Sequence, residues 1–277
     1  MTSILLTLLI SYILLFLYSL KTKDNSIVDV FWGFGFVIIA VISFLGSGMW
    51  LHQIAITVLV LLWWARIISH IWSRKWKDRR EDARYAKWRE EWGSGWYFFV
   101  RSFVQVYLLQ MILMLVVATA ILVVNSWLWV TEQNPPSPLR YNSLLEVQTQ
   151  NLSQGGIEQI SLIIWVLIAL VWLIFETIAD RQLAEFVQTK KAGEIFTTWL
   201  YRYSRHPNYF WESVFWLGIS LISLPFSYIG MVSFFVITIL LLFVSGVPLQ
   251  EARYAGRPNW EEYKKKTSVF VPWWPRN

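Results

Sequence analysis

The sequence predicts an all-α, polytopic membrane protein: a bundle of about seven transmembrane helices with the N-terminus outside and the C-terminus cytoplasmic. Three observations carry that prediction. Hydrophobic residues make up 56% of the chain against 15% charged, with a mean hydropathy of +0.45, a balance typical of membrane proteins. Apolar stretches recur at lengths that cross roughly 30 Å of hydrocarbon. Basic residues gather on alternate loops, the distribution that marks cytoplasmic loops.

Taken in order, the predicted spans are 3–20, 27–46, 51–72, 97–124, 159–179, 208–224 and 227–247. The first has no basic leader and no small-residue cleavage site, so it reads as a retained helix rather than a signal peptide. Of the 24 Lys and Arg, 21 fall at 21–26, 73–96, 180–207 and 245–277, which assigns those segments to the cytoplasm. The 73–96 segment mixes both signs of charge with aromatics and reads as a solvated helix bordering the membrane. The opposite-side loop 125–158 holds only Arg140. Its Asn134-Pro135-Pro136-Ser137-Pro138 run and the Gln/Asn-rich stretch to Gly156 read as irregular and exposed. It separates a four-helix N-terminal half, 1–124, expected to face substrate, from a three-helix half with a tail, 159–277, expected to hold cofactor. The last two spans are divided by Ser223-Leu224-Pro225. No internal repeat links the halves, so an inverted-repeat transporter has little support.

Composition also excludes classes of chemistry. With no Cys there is no disulfide, thiolate metal site or cysteine nucleophile. The three His, at 52, 70 and 206, are too scattered for a polyhistidine metal site, so no metal is expected. The 19 Trp suit interfacial belts. The net charge of +6 follows from topology and implies no nucleic acid. No phosphate-cradling glycine fingerprint and no nucleophile elbow occurs.

Ionisable residues at membrane depth are costly, roughly 2.5–3.5 kcal/mol on insertion scales, and persist where a site needs them. Here they are Asp29, Arg66, Glu176, Asp180 and Glu212. Glu176 and Asp180 lie four apart on one helix face, where two acids repel unless a ligand or a base offsets them. The densest cluster is Arg202-Tyr203-Ser204-Arg205-His206-Pro207-Asn208-Tyr209-Phe210-Trp211-Glu212. Pro207 suits the first turn of a helix, whose free N–H groups beside Arg205 and His206 form an anion-friendly pocket. Asn208 and Glu212, four apart, face the same way. Beyond the last span, Pro248, Glu251, Arg253 and Tyr254 precede a short helix at 259–266 that reads as a lid over a cytoplasm-facing cavity. Taken alone, that helix also reads as an interfacial segment drawn to anionic lipid.

At these residues the chain resembles the steroid 5α-reductase superfamily of membrane reductases. It looks most like a bacterial branch known as a domain of unknown function with a 5α-reductase-like C-terminal half. The resemblance rests on Glu176-x-x-x-Asp180-x-Gln182-Leu183, the 202–212 segment, Ser245-Gly246-Val247-Pro248 to Tyr254, and Glu262-Tyr263 to Pro272, with looser matches at Asp29-x-Phe31-Trp32-Gly33 and Glu81-Asp82-x-Arg84-Tyr85. It implies NADPH held at the cytoplasmic helix ends and a lipid-like substrate among the N-terminal helices. By position, Asp180, Asn208, Glu212 and Tyr254 would bind the cofactor, joined by Arg205, His206 and Tyr209, with Arg66 as a phosphate partner. Glu176 and Glu251 belong to the same expected cofactor set. The acid expected near the substrate carbonyl is Asp29, the only one in the second span, and it is the candidate catalytic residue.

Two departures stand out: Trp211 replaces the usual Gly, and Trp63 occupies the position of a substrate-facing Tyr. The leading expectation is an NADPH-dependent reductase of a conjugated C=C bond in a sterol-, isoprenoid- or lipid-like substrate, resident in a bacterial inner membrane as a multi-pass protein. One alternative is an S-adenosylmethionine-dependent methyltransferase of the isoprenylcysteine or phospholipid type, which shares an Arg-His-Pro-x-Tyr segment. The other is a non-catalytic lipid-binding protein.

Overall fold

The computed structural model describes residues 1–47, 50–75, 81–126, 144–191 and 193–276. Its regular elements are helical, and the chain divides into two compact units, Met1–Ser137 and Pro138–Asn277. The division falls inside the expected 125–158 loop. The proline run at 134–138 and Arg140 lie outside the described residues.

The first unit contains α1 (Thr2–Thr22), α2 (Ile27–Leu45), α3 (Leu51–Lys75) and α4 (Ala83–Trp92), followed by a broken rod. That rod comprises α5 (Trp96–Ser102), a π-helical stretch at Phe103–Leu108, α6 (Leu109–Val117) and α7 (Thr119–Asn125). Its packing is that of a membrane protein. On α1 the stripe Ile4, Leu8, Tyr12, Phe16 is buried while Leu6, Ile10, Leu14 and Leu17 are exposed. A helix apolar all round, with one stripe buried and the others exposed, needs lipid as its outer neighbour. Polar side chains cross-tie the interior. Asn125 Nδ2 donates to Ser43 Oγ at 3.0 Å and Thr57 Oγ1 at 3.3 Å, joining α2, α3 and α7, and Gln53 Nε2 donates to the Val124 carbonyl at 3.1 Å.

The second unit opens with α8 (Leu144–Thr189). Helix begins at Leu144, so 144–158 is not the irregular stretch its composition suggested. A 3₁₀ turn at Trp199–Arg202 leads into α9 (Pro207–Ser223), then come α10 (Met231–Ile239), continued by a π-helical stretch at Leu240–Val244, α11 (Val247–Tyr254) and α12 (Trp260–Lys266). α9 is the central helix, with Trp211, Phe215, Trp216, Ile219 and Ile222 all buried. α8 approaches it so closely that a Cβ on Gly218 would lie 3.1 Å from that of Ala169.

Among the described residues, six helical segments are long and apolar enough to cross a membrane: Thr2–Thr22, Ile27–Leu45, Leu51–Ser69, Trp96–Val117, Gln159–Thr189 and Tyr228–Tyr254. The expected span at 208–224, sixth in order, corresponds to α9, which stops at 17 residues. At 1.5 Å per residue that is about 26 Å, short of the hydrocarbon thickness. Leu224-Pro225 ends it, and its flanks are closed by α8 and α10 rather than by lipid.

Candidate functional site

The expected site residues of the second unit gather where α9 begins. Phe196 packs its ring against Tyr201, with 4.8 Å between centroids, and the Tyr263 hydroxyl donates to the Tyr201 carbonyl. The chain's last segment then locks the approach to α9. Ser204 Oγ donates to the Phe270 carbonyl at 2.7 Å, and the Arg205 N–H donates to the Ser268 carbonyl at 2.8 Å. Pro207 occupies the first helical turn, as its fixed φ and missing N–H favour.

Arg205 and His206 are thereby held inward. Arg205 Nη1 lies 2.7 Å from Glu251 Oε1, and the guanidinium sits 5.8 Å from the Trp260 ring centroid. His206 is buried, with its ring stacked on Tyr209 at 5.6 Å and Nε2 3.4 Å from the same Glu251 oxygen. Burial lowers the imidazole's pKa to about 4 despite Glu251, with Arg205 pushing the same way as burial, so it is neutral at physiological pH. Arg205 therefore carries the positive charge of this pair, and it is ion-paired with Glu251.

A small cavity of about 30 Å³ opens beside them. Its walls are Leu183 of α8, Phe196 and Tyr201, Arg205 and His206, Asn208 and Tyr209 of α9, Gln250 and Tyr254 of α11, and Trp260 and Tyr263 of α12. Tyr254 stacks on Trp260 at 5.1 Å, so α12 does lie over the cavity as expected of a lid. Two polar atoms here are left over. The Tyr201 hydroxyl, on a side chain only 5% exposed, and Arg205 Nε are buried without a hydrogen-bond partner. Buried orphan donors cost about 1–3 kcal/mol each, a debt a bound polar ligand would remove. Burial also raises the Tyr201 and Tyr263 pKa values, so both hydroxyls keep their protons. At about 30 Å³ it is well below the few hundred Å³ of a small-molecule site, so a cofactor would enter only if the walls moved apart. The stacking faces, orphan donors and the Asn208 amide are groups of the chemical kind that bind a nucleotide-type cofactor.

The other expected residues stand around this cavity rather than in it. Glu251 backs Arg205 and His206. Asp180 acts electrostatically on Tyr201, and Glu176, one turn earlier on α8, is buried. Glu212 accepts from Trp216 Nε1 at 3.0 Å and is not among the lining residues. Trp211 neither narrows the cavity nor faces lipid: it stacks on Trp172 at 4.3 Å and Phe175 at 4.9 Å, filling the α8–α9 interface.

Asp29 and Arg66 belong to the first unit, Arg66 on α3 and Asp29 in the first turn of α2. Asp29 is not a bare acid. Its carboxylate accepts from Arg84 Nη2 at 2.8 Å, the Tyr85 hydroxyl at 2.7 Å and Gln110 Nε2 at 3.4 Å. Tyr85 is buried, and burial together with the Asp29 charge raises its pKa. Of that pair, Tyr85 holds the proton.

Sequence reasoning missed Tyr201 as a cavity residue and Tyr85 as Asp29's partner. The signal for Tyr85 was its place in the Glu81-Asp82-x-Arg84-Tyr85 pattern. Tyr201 had only its position just before the 202–212 cluster.

A multi-pass membrane fold thus carries a polar, aromatic-walled cavity where α9 begins. The chain belongs to the family described as a protein of unknown function, DUF1295, whose profile matches residues 15–133 and 141–267. No curated protein and no solved structure matches it.

Proposed function

We propose that the protein is a membrane-embedded, NADPH-dependent reductase of a conjugated C=C bond in a hydrophobic substrate, a member of the steroid 5α-reductase superfamily. We place it in a bacterial inner membrane with seven spans, α9 being the short one, and the C-terminus cytoplasmic. The observation that carries the reading is the pair of orphan donors, Tyr201 Oη and Arg205 Nε, in a cavity walled by stacking aromatics. In this reading both donate to cofactor oxygens, Asn208 offers its amide, and Tyr254 and Tyr209 supply ring faces. Trp260 and Tyr263 close the cavity against water. NADPH, when bound, supplies a hydride to the β-carbon of an enone. In the first unit, Asp29 accepts a hydrogen bond from Tyr85, whose hydroxyl is a group able to donate a proton.

One observation favours a second reading. With Glu251 pairing Arg205 and His206 neutral, the cavity carries little net positive charge, which also suits the methyl donor S-adenosylmethionine, a net monocation. Thermal unfolding of the purified protein in the presence of each cofactor separates the two. NADPH at a hundredfold its Kd should stabilise by about 2.7 kcal/mol, and S-adenosylmethionine should do nothing. Stabilisation by the methyl donor alone overturns the reductase reading, and no response to either favours a lipid-binding role.

A further inference from the structure

Residues 268–276 present an arrangement that the cavity does not use. Residues 268–273 are fastened by their backbone to the segment that leads into α9, the Arg205 N–H donating to the Ser268 carbonyl at 2.8 Å and the Trp273 N–H to the Tyr203 carbonyl at 2.9 Å, and the Arg276 N–H donates back to the Lys266 carbonyl of α12 at 2.9 Å. Phe270 turns inward and is 8% exposed. The indoles of Trp273 and Trp274 point out, 69% and 73% exposed, with Val271 at 55%. A tail so firmly tied has no need to show two indoles to water, and large exposed aromatics held in a fixed position mark an interaction surface. Tyr203 is four residues before Pro207, where α9 begins, so these rings lie beside the start of α9. Trp partitions most favourably at the membrane–water interface.

The charge points the same way. Trp273, Trp274 and Val271 share a shallow groove with Ser268, Lys266 and Arg276. Lys266 Nζ also lies 2.8 Å from Glu262 Oε1, an exposed pair with which a lipid phosphate can compete. We propose that residues 269–276 form an interfacial anchor, with the two indoles seated among the headgroups beside α9 and Lys266 and Arg276 bound to anionic lipid. The anchor fixes α12, and with it Trp260 and Tyr263 over the cavity, at a set height on the membrane, because Lys266 ends α12. The proposal rests on the membrane fold and does not depend on which cofactor the cavity takes.

The chain has no Cys, so a single introduced thiol can be labelled without background. Trp274→Cys and, separately, Val271→Cys carry a nitroxide in lipid nanodiscs of phosphatidylcholine with and without phosphatidylglycerol. Both positions are exposed, so neither substitution opens a cavity. Collision with oxygen should exceed collision with a water-soluble nickel chelate at both sites, and phosphatidylglycerol should increase the ratio. Lys266→Gln with Arg276→Gln should abolish that increase, each cation being worth roughly fivefold in association with an anionic surface. Free access of the chelate overturns the proposal, as does protection from both reagents, which would mean that protein covers the strap. A ratio indifferent to phosphatidylglycerol removes the anionic-lipid assignment.

Discussion

Lowering the pH from 7.5 to 5 should weaken the second unit by about 2 kcal/mol through one side chain, His206. Burial holds its pKa near 4, against 6.5 in the unfolded chain. A His whose folded pKa is depressed binds fewer protons folded than unfolded. Its contribution is therefore complete above 6.5 and is lost as pH falls from there towards 4. The full difference, at 1.36 kcal/mol per pH unit, is about 3 kcal/mol, and integrating the linkage to pH 5 gives about 2 kcal/mol. The groups around the imidazole are Glu251, which favours its protonation, and Arg205, which opposes it, so burial decides the sign. For a chain of this size the loss corresponds to a fall of about 4–8 °C in the unfolding midpoint. The assay is thermal unfolding in detergent at the two pH values for the wild type and His206→Gln, which removes the titration. The variant should lose several degrees less than the wild type on acidification. Equal losses would refute the argument that a neutral, buried His206 is built into the site.

Three further outcomes follow from packing and hydrogen bonding. Tyr201→Phe removes an orphan hydroxyl, so the ligand-free protein should gain about 1 kcal/mol while NADPH affinity falls about five- to tenfold; a loss of stability without ligand would show that the hydroxyl already has a partner. Gly218→Leu has no room beside Ala169, and overpacking there should cost about 2 kcal/mol in unfolding midpoint measurements, whereas an unaffected midpoint would mean that α8 and α9 are farther apart. Arg84→Met breaks the ion pair to Asp29, about one-third exposed on both sides, so the loss should be only about 1 kcal/mol; it should appear as faster amide exchange in α4, and unchanged exchange would count against the clamp.

The membrane helices were legible because hydropathy and length are local properties, and the helices themselves follow the apolar runs within a few residues. The exception at 144–158 has a local cause too: Gln, Asn and Gly discourage helix by propensity, yet the stretch continues into the apolar run of α8 and the helix extends through it. The Ala118 break and the two π-helical stretches were invisible, since the sequence across them reads as uninterrupted apolar helix.

At the site, clustering in sequence correctly brought Arg205, His206, Asn208 and Tyr209 to one cavity and placed α12 over it. Its electrostatics could not be read the same way. Arg205 and His206 count as two potential cations in sequence, but Glu251, 45 residues after His206, pairs with one while burial neutralises the other. Asp29 shows the same limit, since its partners Arg84 and Tyr85 come from a solvated helix more than fifty residues away. In both places residue types identified where polar chemistry concentrates. Which atom carries the charge or the proton is set by burial and by long-range pairing, as the Tyr85 hydroxyl donating to Asp29 and the neutral His206 beside ion-paired Arg205 show.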